Sequence, residues 1–149
     1  MEVPLVIYAD TAQGFAIGYP STWTQDKSMA EGIKFIGGDD SMTLEFVTLD
    51  AGIDAMSYAQ QDVAAVETLF PGFKQLNLEP STEVKDAVVL GFEAEGKSTV
   101  TGKAFKAHNE RYYMPLADGR LAILTVLSSE NTYDREGVRD IALTLKMTK

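Results

Sequence analysis

Gly14-Phe15-Ala16-Ile17-Gly18-Tyr19-Pro20-Ser21-Thr22-Trp23 is the stretch that decides how the rest of the chain is read. Large and small side chains alternate over Phe15–Tyr19. The two-residue period of a strand puts Phe15, Ile17 and Tyr19 on one face. Ala16 and Gly18 leave room for something to pack closely on the other. Pro20 cannot donate to a ladder and ends the strand. Ser21-Thr22 turns the chain, and the single tryptophan, Trp23, follows as a large hydrophobe expected to close one end of a core.

Working outward, Leu5-Val6-Ile7-Tyr8-Ala9-Asp10 is β-rich and reads as a first strand. On the other side, Ile33-Lys34-Phe35-Ile36 is a short strand ended by Gly37-Gly38-Asp39-Asp40. Ser41 to Leu49 then alternates, with Met42, Leu44 and Phe46 on one face and Thr43, Glu45 and Val47 on the other. The Gly-Gly-Asp-Asp stretch is expected to be a hairpin loop. Adjacent aspartates can hold a cation, but in a loop they also serve as turn residues.

Asp54 is a plausible N-cap for the first helix. Met56, Ala59, Val63, Val66 and Phe70 recur at three- and four-residue steps, and Pro71-Gly72 ends the run. Gln60, Gln61, Asp62 and Glu67 are expected to face mostly away. Further strands are expected at Phe73–Leu78, at Glu83-Val84-Lys85 and at Ala87–Glu95. A long hairpin follows: Lys103–Tyr113, a tight turn at Ala117-Asp118-Gly119, and Arg120–Leu127. Leu121–Leu127 is apolar on both faces, as a central covered strand should be. Asn131 or Thr132 caps a last helix striped by Val138, Ile141, Ala142 and Leu145.

The 149 residues contain no repeat and no linker, so residues 1–149 read as a single domain. The fold class is α+β: an α/β/α sandwich with a central, mostly antiparallel sheet covered by helices. Apolar content of 45% and charged content of 23% are those of a globular protein.

Charge and residue counts narrow the function classes. Thirteen Lys and Arg against 22 Asp and Glu give a net charge of −9, with no basic run. Such a chain repels phosphate backbones and anionic lipid, so nucleic acid is not an expected partner. The acidity fits solubility, or a basic partner or cation. Without cysteine there is no disulfide, thiol nucleophile or cysteine–metal site. No run is long enough to span a membrane.

No motif proposes a reaction, and the expectation is that the chain is not an enzyme and holds no cofactor. The lone histidine, His108, lies inside a strand between Lys106 and Glu110, and no Gly-x-Ser-x-Gly elbow exists to serve it. There is no GxGxxG and no Walker loop. Glu93 and Glu95 lie two apart on one strand face, where a solvated pair is expected; a glycosidase pair would face across a cleft. Four residues of the long hairpin are the candidates for partner binding. Arg111 and Arg120, with Lys103 and Lys106, could form a local positive area. Tyr112 and Tyr113 could form an exposed aromatic patch, or be buried against the last helix.

Tyr8-x-Asp10 followed by Gly14-Phe15-x-Ile17-x-Tyr19-Pro20-x-x-Trp23 resembles the opening of PsbP-like domains. The order of the remaining elements resembles them too: a hairpin, a helix ending at Phe70-Pro71-Gly72-Phe73, and a long hairpin turned by Asp118-Gly119-Arg120. The resemblance implies the α/β/α sandwich and members that bind rather than catalyse. Its superfamily spans extrinsic photosystem II proteins, bacterial lipoproteins and a Ran-binding nuclear import factor. The Leu69–Phe73 junction is also similar to the Eag chaperones of type VI secretion. The Tyr19-Pro20-x-x-Trp23 opening looks more like the exported lipoproteins, so the resemblance implies an extracytoplasmic domain engaging a protein partner, with a lipid anchor or fused segment lost ahead of Met1. The alternative it implies is a cytoplasmic chaperone holding an apolar effector segment. No metal or cofactor residue carries over.

Overall fold

The computed structural model describes residues 4–28, 31–38, 40–82, 84, 86–97, 101–116, 118–129 and 135–147. Ten strands and two helices follow one another as β1 (Leu5–Asp10), β2 (Phe15–Pro20), β3 (Thr24–Asp26), β4 (Ile33–Gly37), β5 (Asp40–Thr48), α1 (Ala55–Leu69), β6 (Lys74–Pro80), β7 (Val88–Lys97), β8 (Ala104–Pro115), β9 (Arg120–Ser129), α2 (Arg135–Thr144) and β10 (Lys146–Met147). Seven strands form one antiparallel sheet in the order β3-β4-β5-β9-β8-β7-β6. β9 is its middle strand, which is why Leu121–Leu127 is apolar on both faces.

The opening stretch is not part of that sheet. β2 pairs with β1 and β10 in a separate three-stranded sheet. With α2 it forms a layer over one face of the large sheet, where Phe15 and Ile17 pack among Ile33, Phe35, Met42, Leu44, Leu124 and Ile141. Tyr19 stacks on Phe35 with ring centroids 4.4 Å apart. The room left by Gly18 is used by α2: the Gly18 N–H donates to Thr144 Oγ1 at 2.7 Å. Trp23 is half-buried against the same core, its ring lying on the backbone of Gly37.

α1 covers the other face, lying on β6, β7 and β8. Asp54 caps it, accepting from the Ser57 N–H at 2.8 Å. Its buried residues are Ala55, Ala59 and Val66. Leu90, Phe92, Tyr113, Leu121 and Ile123 form the floor beneath it.

Other expectations need correction. Val84 lies in a bend between β6 and β7 rather than in a strand, and Glu83 and Lys85 lie outside the described residues. So do Asp39, Ala117, Asn131 and Thr132. The Gly37–Asp40 hairpin exists, and Asp40 uses its carboxylate to accept from the Ser129 N–H at 2.9 Å. The short strands β3 and β10 carry too few residues to show a periodicity.

Several carboxylates are tied to the fold by hydrogen bonds. Asp10 is held below its usual range by the backbone N–H of Gln13 and then by its side chain, and Asp54 by the backbone N–H of Ser57. Asp26 and Asp118 are lowered in the same way, chiefly by Ser28 and Arg120. A lowered folded-state pKa adds stability that is fully present above the unfolded value near 3.9 and lost as pH falls through the folded value. For the phenols of Tyr58 and Tyr113, burial raises the pKa first, with Asp62 adding to it. Their contribution is present below about pH 10 and lost above it. Urea midpoints are therefore expected to be flat from about pH 5 to 9 and to fall on both sides. A midpoint that held constant down to about pH 2.5 would contradict this.

Candidate functional site

α1 is one helix wide and rests on β6–β8, so among the described residues it leaves the same face of β3, β4 and β5 as far as Glu45 uncovered, while Val47 packs against the cluster beneath it. Register places Thr24 and Asp26 of β3, Lys34 and Ile36 of β4, and Ser41, Thr43 and Glu45 of β5 on this open half. Their neighbours in sequence, Ile33, Phe35, Met42 and Leu44, point the opposite way into the core. Short hydroxyls and charges dominate the floor, with Ile36 as its exposed aliphatic side chain. An apolar segment laid across it would meet polar groups at most positions.

Where this floor meets α1, five side chains from four elements form a buried polar network. Arg111 of β8 donates from Nε to Asp62 Oδ2 of α1 at 3.0 Å. Its Nη1 donates to Thr125 Oγ1 of β9 at 2.7 Å and lies 3.6 Å from Glu45 Oε2 of β5. The Tyr113 hydroxyl donates to the same Asp62 oxygen at 2.6 Å. Burial works against the Arg111 charge, but Tyr113, Asp62 and Glu45 outweigh it and hold the guanidinium pKa above its ordinary value. Burial, and then the bond to Asp62, push the Tyr113 phenol well above its ordinary range. It stays protonated as a donor. The network thus ties α1 to three strands, and Glu45, its most exposed member, reaches the open floor.

The four sequence candidates do not form one patch. Tyr113 is fully buried under α1 and Tyr112 is 3% exposed on the opposite face. The exposed-aromatic reading fails because successive residues of β8 point to opposite faces, and both faces are covered there. Arg111 is buried and matched by two carboxylates. Arg120 lies elsewhere, bound to Asp118 at 2.8 Å and over the Phe46 ring. The hairpin therefore has no shared positive area at these two arginines. Lys103 precedes the strand. Nor are Glu93 and Glu95 a solvated pair, since Glu93 is mostly buried. His108 is half-buried on β8.

Three members of the network, Asp62, Glu45 and Thr125, were not singled out from the sequence. Asp62 reads as solvent-facing if the stripe is drawn through Val63. The steps Ala55, Ala59, Asp62, Val66 are equally helical, and that is the line the structure buries. Glu45 sits on a face left open by α1, which no local period reveals.

Two residues from Arg111 on the same face, Asn109 is 2% exposed and neither polar atom of its amide has a hydrogen-bond partner among the described residues. It sits between Phe92 and Leu127. A buried amide without partners costs stability. Asn109→Leu is expected to raise stability by about 1–2 kcal/mol, seen as a higher urea midpoint at unchanged slope. An unchanged or lower midpoint would refute that.

At the N-terminal end of α1 a groove of about 630 Å³ opens between Ile53, Met56, Pro80, Val88 and Pro115. Asp54 on its wall is occupied by the helix cap. Among the described residues, no group of three or more His, Asp or Glu could hold a metal ion, and no helix is long and apolar enough to cross a membrane.

No family model and no curated protein matches the sequence. Solved structures do match. The Ran-binding protein Mog1p of Saccharomyces cerevisiae superposes with a TM-score of 0.67 at 7% identity, over 99% of this chain and 97% of that one. A protein from Bacteroides thetaiotaomicron matches at 0.56 and 9% identity, over 96% of this chain and about half, 48%, of its own. The protein PA94 of Pseudomonas aeruginosa matches at 0.50 and 13%, over 85% and 84%. At these identities the likeness is one of fold, and this chain shares with Mog1p an α+β architecture of a mostly antiparallel sheet with a few helices.

Proposed function

We propose that this chain is a non-catalytic, extracytoplasmic protein-binding domain of the PsbP- and Mog1-like superfamily, and that its partner docks on the open half of the sheet beside α1. The observation that carries the reading is that floor. It is a regular surface of Thr24, Lys34, Ile36, Thr43 and Glu45, backed by the core and flanked by the Arg111 network. An exposed isoleucine beside hydroxyls and charges offers an apolar contact with a polar surround, as protein interfaces do. The full-length likeness to a Ran-binding protein supports binding as the role. The Tyr8–Trp23 pattern, which resembles the opening of exported PsbP-like lipoproteins, supports the compartment.

Because the chain has no cysteine, single thiols can be placed at will. A photo-crosslinker on Thr43→Cys is expected to capture a partner in extracts of the native cells, whereas one on Thr82→Cys, exposed and off this face, is not. Adding Ile36→Arg should abolish the capture. Equal adducts from both positions, or none from Thr43→Cys, would sink the docking face. Recovery of the native gene product from the cytoplasm would sink the compartment.

A further inference from the structure

The edges of the two sheets are protected unequally. β6 carries Lys74, Glu79, Pro80 and a register break between Gln75 and Asn77, which are devices that keep an edge from pairing. β3 and β10 are only three and two residues long. β1 has none of these. It pairs with β2 without a bulge over all six residues, and its outer edge has no neighbour in the sheet. Leu5, Val6 and Ile7 are 36%, 38% and 64% exposed, a run of three aliphatics open to solvent.

Two hydrogen bonds show which backbone groups face that edge. The Ser21 N–H bonds to the Pro4 carbonyl, so even-numbered residues of β1 point toward β2. The Gly18 N–H, opposite Ile7, points away from β1 to Thr144. In an antiparallel ladder bonded and non-bonded pairs alternate. Leu5, Ile7 and Ala9 therefore turn their N–H and C=O groups outward, and none of them has a partner among the described residues.

We propose that this edge pairs with the same edge of a second copy, antiparallel, about a two-fold axis at Ile7. The free groups are disposed evenly about that residue. The strand turned end for end meets them in register, Ile7 with Ile7 and Leu5 with Ala9, each pair exchanging two backbone bonds. Aliphatic side chains meet across the axis. Asp10, held by Gln13, falls opposite Pro4 rather than another carboxylate. A contact of one short strand per copy lies below the roughly 1,200 Å² that stable complexes bury, so the dimer is weak and reversible. Each copy carries −9, so screening salt strengthens it.

Sedimentation equilibrium of the full chain tests this. Between about 10 μM and 1 mM the average mass is expected to rise toward two chains, and to rise further at about 0.5 M salt than at 0.05 M. Ile7→Pro removes only an outward N–H, so the hairpin should keep its melting curve while the mass stays at 16.3 kDa throughout. Ile7→Lys keeps the N–H and sets two cations across the axis; it too should be monomeric, and it decides the matter if the proline variant fails to fold. A wild-type chain that stays monomeric at 1 mM overturns the proposal. So does a dimer that persists in either folded variant, since its interface would lie elsewhere.

Discussion

Arg111→Ala is expected to destabilise the protein by about 3–5 kcal/mol, the range for breaking a buried ion pair from one side. The side chain makes hydrogen bonds to Asp62 and Thr125 and an ion pair with Glu45, and truncation strands the Asp62 carboxylate beneath α1 at 12% exposure. The cost is that of an uncompensated charge, and this separates it from lost packing. Removing both charges, as Arg111→Met with Asp62→Leu, should recover at least half of the loss, because apolar replacements of similar volume spare both desolvations. Glu45→Gln should cost well under 1 kcal/mol, since Glu45 is exposed enough for water to screen it. Equal losses from Arg111→Ala and the double variant, by urea melts, would show that packing alone is at stake.

Gly32→Ala is expected to cost about 3 kcal/mol or more, adding about 1–2 for a left-handed backbone to 1–3 for a forced shift. Gly32 has φ of +89°, and a Cβ there would land on the backbone carbonyl of Leu44, which cannot swing away as a side chain can. Its N–H donates to Gln13 Oε1 at 2.6 Å, and Gln13 Nε2 donates back to its carbonyl at 3.3 Å. Gln13 in turn holds Asp10. A shift at Gly32 therefore loosens the β1–β2 hairpin from the large sheet. Gly38→Ala separates the two costs. Gly38 also has positive φ, +64°, but a Cβ there meets nothing within 4 Å. It should lose only about 1–2 kcal/mol. Similar melting temperatures for the two variants would mean that the clash at Leu44 relaxes freely.

Asp62, Tyr113 and Phe15 show how much of this was open to reading in advance. The period-two faces of β5 and β9 and the stripe of α2 read correctly, because burial on one or both faces leaves a mark at fixed spacing. The cap at Asp54 read correctly because it is satisfied within three residues. Tyr113 did not. Its partner Asp62 is 51 residues away, and the bond that keeps its hydroxyl buried is a tertiary one. From the sequence Asp62 falls on the solvent side of α1, because charge outweighs period when the facing arginine is unknown.

The candidate site divides in the same way. Its floor strand β5 showed hydroxyl and acid on the face of Thr43 and Glu45, but the chain carries no sign of how far α1 extends over that face. The breadth of the large sheet, seven strands against one helix, decides it.

The sequence by itself determined the class: an antiparallel α+β fold, a central strand apolar on both faces, and helices amphipathic enough to lie on it. Those follow from the spacing of apolar residues along a chain that must hide them. Only the tertiary structure decided that Phe15–Tyr19 belongs to a second, smaller sheet, that Arg111 is matched by Asp62 and Glu45, and that among the described residues half of one sheet face stands open. Each of these depends on which strand lies beside which, and pairing across tens of residues is set by the packing of the whole, not by any local period.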